Sequence, residues 1–93
     1  MLVYEEEKII KGFIYLKPHL EQKDAYIVDA LFVEEQYRNK GIAKSLFEEA
    51  KILLKKWNID KLYIDVISNN NRAFNLYKSI GFEVFRLGLK MEI

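Results

Sequence analysis

Nine residues, Tyr37-Arg38-Asn39-Lys40-Gly41-Ile42-Ala43-Lys44-Ser45, carry the chain from an apolar stretch into an amphipathic one through a basic, glycine-containing turn. A strand that feeds directly into a helix belongs to a strand-helix-strand unit, whose strands lie parallel and whose ligands gather at the strand C-terminal ends. The first turn of a helix has backbone N–H groups without intrahelical partners and carries about half a unit of positive charge. Anions dock there readily. Gly41 lets backbone approach a ligand closely and Ala43 adds little bulk, while Arg38, Lys40 and Lys44 add positive charge. The junction therefore reads as a seat for a phosphorylated ligand.

The flanking pattern supplies the rest of the architecture. Residues 1–4 and 9–16 are β-rich runs around the polar Glu5-Glu6-Glu7-Lys8, a hairpin whose second strand ends at Pro18. After a polar loop over 18–24, residues 25–33 are apolar except for Asp29 and read as a central strand. Between Gly41 and Trp57 the apolar Ile42, Leu46, Phe47, Ala50, Leu53, Leu54 and Trp57 recur three or four apart, which predicts a helix. A second buried strand is expected over 62–67, with Asp65 its charged member. Ser68-Asn69-Asn70-Asn71 can cap a second helix in which Ala73, Leu76, Tyr77 and Ile80 share a face, and Gly81 is placed to end it. Residues 82–93 alternate through Phe85, Leu87, Leu89, Met91 and Ile93, predicting a last strand with a bend at Gly88. The expected order is β-β-β-α-β-α-β, an α/β fold with a mixed sheet.

Composition removes several function classes. At 93 residues the chain is expected to be one small domain. With 15 basic against 14 acidic residues it has no global field to recruit nucleic acid or an anionic membrane, so electrostatic function must be local. The sequence has no cysteine, hence no disulfide, thiolate nucleophile or cysteine metal site, and a cytoplasmic location is expected. The single histidine, His19, lies in the polar loop beside Pro18 and reads as a loop residue rather than a base or metal ligand. No G-x-S-x-G elbow surrounds Ser45, Ser68 or Ser79, and the turn lacks the glycine patterns of a nucleotide P-loop or a dinucleotide fingerprint.

Two motifs together resemble the GNAT superfamily of acyl-CoA-dependent N-acetyltransferases. One is Arg38-Asn39-Lys40-Gly41-Ile42-Ala43, preceded by Leu31-Phe32-Val33; the other is Asn70-Asn71-Arg72-Ala73-Phe74-Asn75-Leu76-Tyr77, followed by Gly81-Phe82. The resemblance implies acetyl-CoA as co-substrate, no metal, and direct transfer to a primary amine on a small molecule or peptide. By position, it implies that backbone N–H groups from Arg38 or Asn39 through Lys40, Gly41, Ile42 and Ala43 to Lys44 hold the CoA pyrophosphate. It implies that Leu31, Phe32 and Val33 offer backbone to the pantetheine arm, with the Val33 N–H polarising the thioester. Asn70 would bond that arm or cap its helix, and Tyr77 would be the general acid at the leaving sulfur. Asp65 and Glu34 are alternative candidates for the base. Members of the superfamily usually carry a further strand and two helices before the hairpin, so a form truncated at the N-terminus is expected, with an incomplete acceptor side. A homodimer is expected to complete it, exchange of C-terminal strands being one form. A binding module without turnover and a subunit completed by another protein remain the alternatives.

Overall fold

A computed structural model describes residues 1–67 and 69–93, so that Ser68, read above as part of a helix-capping run, lies outside the described residues. The chain forms β1 (Leu2–Glu6), β2 (Ile9–Pro18), β3 (Ala25–Val33), a 3-10 turn (Glu35–Tyr37), α1 (Ile42–Lys56), β4 (Lys61–Tyr63) and α2 (Asn71–Ile80). The four strands make one mixed sheet in the order β1-β2-β3-β4, antiparallel except for the parallel pair β3 and β4. The α/β class follows from the strand-to-helix junction as expected.

The hairpin turns more tightly than its polar run suggests. Glu5 and Glu6 remain in β1, opposite Ile10 and Ile9, and only Glu7 and Lys8 turn the chain, with φ of 52° and 66°. Two consecutive left-handed residues give the turn the twist that antiparallel strands require. Neither is Gly or Asn, which is why a four-residue polar loop is the natural reading of the sequence.

The core lies between one face of the sheet and α1. Ile42, Leu46, Phe47, Ala50 and Leu54 are the buried positions of the helix, and Ile14 and Val28 meet them from β2 and β3. Gly12 makes the close approach possible: a Cβ there would fall 2.8 Å from the carbonyl oxygen of Phe32 and 3.4 Å from Ile42. α2 buries no residue completely and is held through the half-buried Tyr77, Ile80 and the following Phe82. Phe47 sits edge-on to Tyr77 at 6.0 Å and to Phe82 at 5.4 Å, the T-shaped geometry that aromatic quadrupoles favour. Trp57 leaves the apolar stripe predicted for it, ending the helix half-exposed against Tyr26 at 5.9 Å.

Two strand expectations are corrected. β4 spans Lys61–Tyr63 rather than 62–67, because its parallel pairing with β3 stops at Ile27↔Tyr63. The physical cause lies in β3. Tyr15 pairs with Ala30 and Leu16 with Val28, which leaves Asp29 as an extra residue. Such a bulge bends the strand and increases its twist, carrying the second half of β3 away from β4. The last strand, expected over 82–93, is not formed. Its alternating pattern suits a strand, but a strand also requires a partner for its backbone, and no described strand runs beside it. No helix among the described residues is long and apolar enough to cross a membrane.

Gly12→Val is expected to destabilise the chain by about 1–3 kcal/mol, because neither Phe32 backbone nor Ile42 can withdraw without opening the core. Urea unfolding checks this, with Gly88→Ala as comparison, since a Cβ at Gly88 meets nothing within 4 Å.

Candidate active site

The turn between β3 and α1 is built from two left-handed residues, Asn39 at φ 65° and Gly41 at φ 80°. A Cβ at Gly41 would meet nothing within 4 Å. The glycine therefore serves the backbone conformation and leaves open space in front of it, rather than relieving a clash with protein. The 3-10 turn uses the Tyr37 and Arg38 amides, which donate to Glu34 O and Glu35 O at 2.9 and 3.3 Å. From Asn39 onward the chain swings into α1, where Ser45 N is the first amide to find an acceptor, Gly41 O at 3.0 Å. The amides of Ile42, Ala43 and Lys44 thus open the helix with the orphan geometry of a first turn.

The basic residues divide their work. Arg38 turns back on the strand, its Nε donating to Val33 O at 2.9 Å. Lys40 lies 5.9 Å from the Tyr37 ring centroid and Lys11 covers the same ring at 4.6 Å. Lys40 and Lys44 are exposed. The cationic character of the turn rests on those lysines and on backbone, while Arg38 ties the turn to the end of β3.

Beside the turn the sheet is split. Residues 28–33 of β3 have β2 on one side and no partner strand on the other. Glu34 N donates to Lys11 O on β2 at 2.9 Å. Backbone groups alternate sides along a strand, so Val33 and Leu31 face the open side. Phe32 points its side chain to the face away from α1, where it stacks with Phe13 at 5.8 Å.

α2 approaches this split from the other motif. Asn70 caps the helix, its Oδ1 accepting from Ala73 N at 3.1 Å. Arg72, which the sequence reading passed over, donates from Nη2 to Asn39 Oδ1 at 3.0 Å and bridges α2 to the turn. An arginine next to an asparagine cap carries no signal of that bridge, because the partner lies 33 residues away. Tyr77 is half-buried against Phe47 and Phe82, and burial holds its phenol above the ordinary tyrosine range. Both candidate acids are exposed: Glu34 directly follows Val33, and Asp65 sits in the unpaired stretch after β4. Glu34, Glu35 and Gln36 line a shallow depression of about 450 Å³ beside the end of β3. His19 is structural, its Nδ1 accepting from the amides of Glu21 and Gln22 at 3.1 Å each. Among the described residues no three His, Asp or Glu side chains converge as metal ligands.

A sheet split beside a helix-opening turn, with a second capped helix closing on it, is the frame of an acetyltransferase-type α/β domain. Residues 1–84 match the family model described as the acetyltransferase (GNAT) domain, and the chain belongs to that family. Among its relatives is an N-alpha-acetyltransferase of Sulfurisphaera tokodaii, 35% identical over 83 residues, covering 86% of this chain and 48% of that one. A candidate streptothricin acetyltransferase of Bacillus anthracis, solved with acetyl coenzyme A, superposes with a TM-score of 0.79 at 26% identity, over 85% of this chain and 44% of the other. An aminoglycoside N-acetyltransferase solved with CoA shares the fold at a TM-score of 0.82 and 15% identity, over 98% of this chain and 73% of that chain. The chain spans about half or less of the length of the curated relatives it matches.

Two measurements check the local chemistry. Asn70→Ala is expected to cost about 1 kcal/mol in unfolding experiments through loss of the cap. For Tyr77, a raised folded pKa means that the neutral phenol contributes stability below its unfolded value near 10.0, and that this is lost as pH rises through the folded value. Tyr77→Phe should therefore flatten the alkaline limb of a stability-against-pH curve, and an unchanged limb would contradict a buried phenol.

Proposed function

We propose that the chain is a single N-acetyltransferase domain that moves an acetyl group from acetyl-CoA directly to a primary amine. The observation that carries this reading is the adjacency of the two features above: orphan amides at Ile42–Lys44 open α1 beside the backbone of β3 that lacks a partner strand. The amides from Asn39 to Lys44, with Lys40 and Lys44, hold the pyrophosphate. The free side of Leu31–Val33 offers a ladder to an extended amide-containing arm, and Asn70 stands at the other side of the split.

On the open side of β3, Arg38 already donates to the Val33 carbonyl, and the Val33 N–H beside it is the donor that can receive negative charge as it develops on the thioester oxygen. A fixed backbone dipole performs that role without reorganisation. The amine nitrogen forms a bond to the thioester carbon, the C–S bond breaks, and the phenol of Tyr77 gives its proton to the departing sulfur. A phenol whose pKa is raised remains protonated at neutral pH, as a general acid requires. The amine must shed a proton before attack; Glu34, one residue beyond Val33, or Asp65 accepts it, directly or through water. The acidic depression at Glu34 and Glu35 suits approach of a cationic amine on a small molecule or peptide. The enzyme works as a cytoplasmic homodimer, and the second copy completes the acceptor side.

The test is release of free thiol from acetyl-CoA with a panel of amines. Turnover supports transfer; coenzyme binding without turnover for any amine would replace it with a binding module. Tyr77→Phe retains the stacking on Phe47 and is expected to lower kcat at least tenfold, about 1.4 kcal/mol of barrier, with acetyl-CoA affinity unchanged. At Gly41, Ala and Glu share the left-handed strain of about 1–2 kcal/mol. Gly41→Glu should weaken CoA binding well beyond Gly41→Ala in a calorimetric titration, and equal affinities for the two would remove the turn from the site.

A further inference from the structure

The two left-handed residues of the β3–α1 turn are filled differently. At 41 a glycine takes φ 80° and faces open space. At 39 an asparagine takes φ 65°, although glycine would adopt that conformation with less strain. What asparagine adds is an acceptor, and its Oδ1 receives Arg72 Nη2 at 3.0 Å. Position 39 thus meets two demands at once, a left-handed backbone and a bond to α2.

That bond matters because of where α2 is anchored. Tyr77 and Ile80, in the second half of the helix, pack on the core, and Phe82 follows them. Arg72 is exposed and lies five residues before Tyr77, about 7.5 Å along the axis at roughly 1.5 Å per residue. Upstream, residues 64–67 belong to no strand, and Ile67 is 74% exposed. The Asn70 cap is internal to the helix and moves with it. The first turn of α2 therefore projects from its anchor. Because β3 and β4 are parallel, the turn after β3 and the start of α2 stand at the same end of the split, and the bond from Arg72 to Asn39 ties one side to the other there.

We propose that Arg72 is a positioning residue for the coenzyme: through Asn39 it sets the spacing between the phosphate-binding turn and Asn70, and so the width of the split where the ligand enters. The inference rests on the coenzyme seat proposed above and assigns Arg72 no contact with the ligand. A ligand held from both sides needs those sides at a fixed distance. With the bond cut, the first turn of α2 swings about its anchor, the seat is correctly spaced for only part of the time, and affinity falls by that fraction. Once the coenzyme is seated the chemistry is spared, because Tyr77 is held by Phe47 and Phe82 rather than by the bridge.

Calorimetric titration of CoA into the full chain, Arg72→Ala, Asn39→Gly and the double variant tests this. Glycine at 39 keeps the left-handed backbone and removes only the acceptor. Each single variant is expected to weaken CoA about three- to tenfold, the span of one such hydrogen bond. The double variant should be no weaker than the weaker single, within about twofold. With an amine that turns over, the KM for acetyl-CoA should rise by the same factor in Arg72→Ala while kcat stays within about twofold. A bond that served folding alone would lower the unfolding midpoint and leave affinity untouched, and circular dichroism confirms that each variant is folded at the temperature of titration. Unchanged affinity in Arg72→Ala would overturn the proposal. So would losses that add in the double variant, since the guanidinium would then act on the phosphate itself, or a fall in kcat with KM unaltered. A natural chain that does not bind CoA would remove the coenzyme seat and this inference together. If CoA binds and no amine turns over, the transfer reading falls and the affinity cycle still decides this one.

Discussion

Everything that distinguishes this molecule follows from the unequal pairing of β3. Its β2 side is paired from Tyr26 to Val33, and its β4 side only from Ala25 to Ile27. A regular strand would be paired on both sides or exposed on one for its whole length. The extra residue at Asp29 changes that midway, and the exposed Asp29 is tied to Lys17 of β2 at 2.9 Å. An exposed ion pair of that kind contributes little to stability. Its importance is geometric, because beyond the bulge β3 runs without β4 to the end that leads into α1. The carbonyl and amide groups thereby left unpaired would be costly if buried without partners, so the split persists only as an open groove. That is the condition a ligand site requires.

The second constraint is that both helices are located by one ring. Phe47 is 1% exposed and lies between the sheet, Tyr77 and Phe82. Removing it would take away the ring against which Tyr77 and Phe82 are set edge-on and loosen α2, which has no completely buried residue of its own, and with α2 the phenol assigned to catalysis. Polar contacts refine this placement without creating it: the Asn70 cap fixes where α2 starts, and the Arg72 bridge to Asn39 fixes how its first turn meets the β3–α1 turn. Position of the proposed acid is thus a consequence of core packing, and its raised pKa has the same origin, since the rings that hold the phenol also exclude water from it.

How far the sequence discloses this depends on the range of the interaction involved. α1 and α2 are legible because an apolar face every three or four residues is a local property, and Asn70 and Gly81 mark the ends of α2 by local capping chemistry. The β3–α1 turn is legible for the same reason, down to the glycine. The bulge is not, because Asp29 in an apolar run looks equally like a buried acid in a regular strand; only its register against β2 shows it to be the extra residue. Gly12 hides in an ordinary strand pattern, its need set by Phe32 and Ile42 across the sheet. The tail shows the limit of periodicity. Alternation over 82–93 specifies two faces and says nothing about a partner, so the pattern predicts a strand where the chain holds only the capacity for one.

Arg38 shows how one side chain can alter the meaning of a motif. Read as sequence, it adds a cation to a phosphate-type turn; in the fold its Nε is committed to Val33 O at 2.9 Å. An open strand edge ordinarily presents donors and acceptors in alternation. By donating to Val33 O, Arg38 fills one of the two lone pairs of that carbonyl and weakens it as an acceptor, at the end of the split and beside Glu34. A donor beside a weakened acceptor favours an electron-rich oxygen over a second amide, which would be drawn to pair with both. On the proposed reading this is where the extended arm of the ligand stops binding as a strand and its thioester begins to be polarised. On that reading the arginine contributes by favouring the Val33 amide over its carbonyl as the group that meets the ligand, and the phosphate charge is left to the lysines and the helix amides.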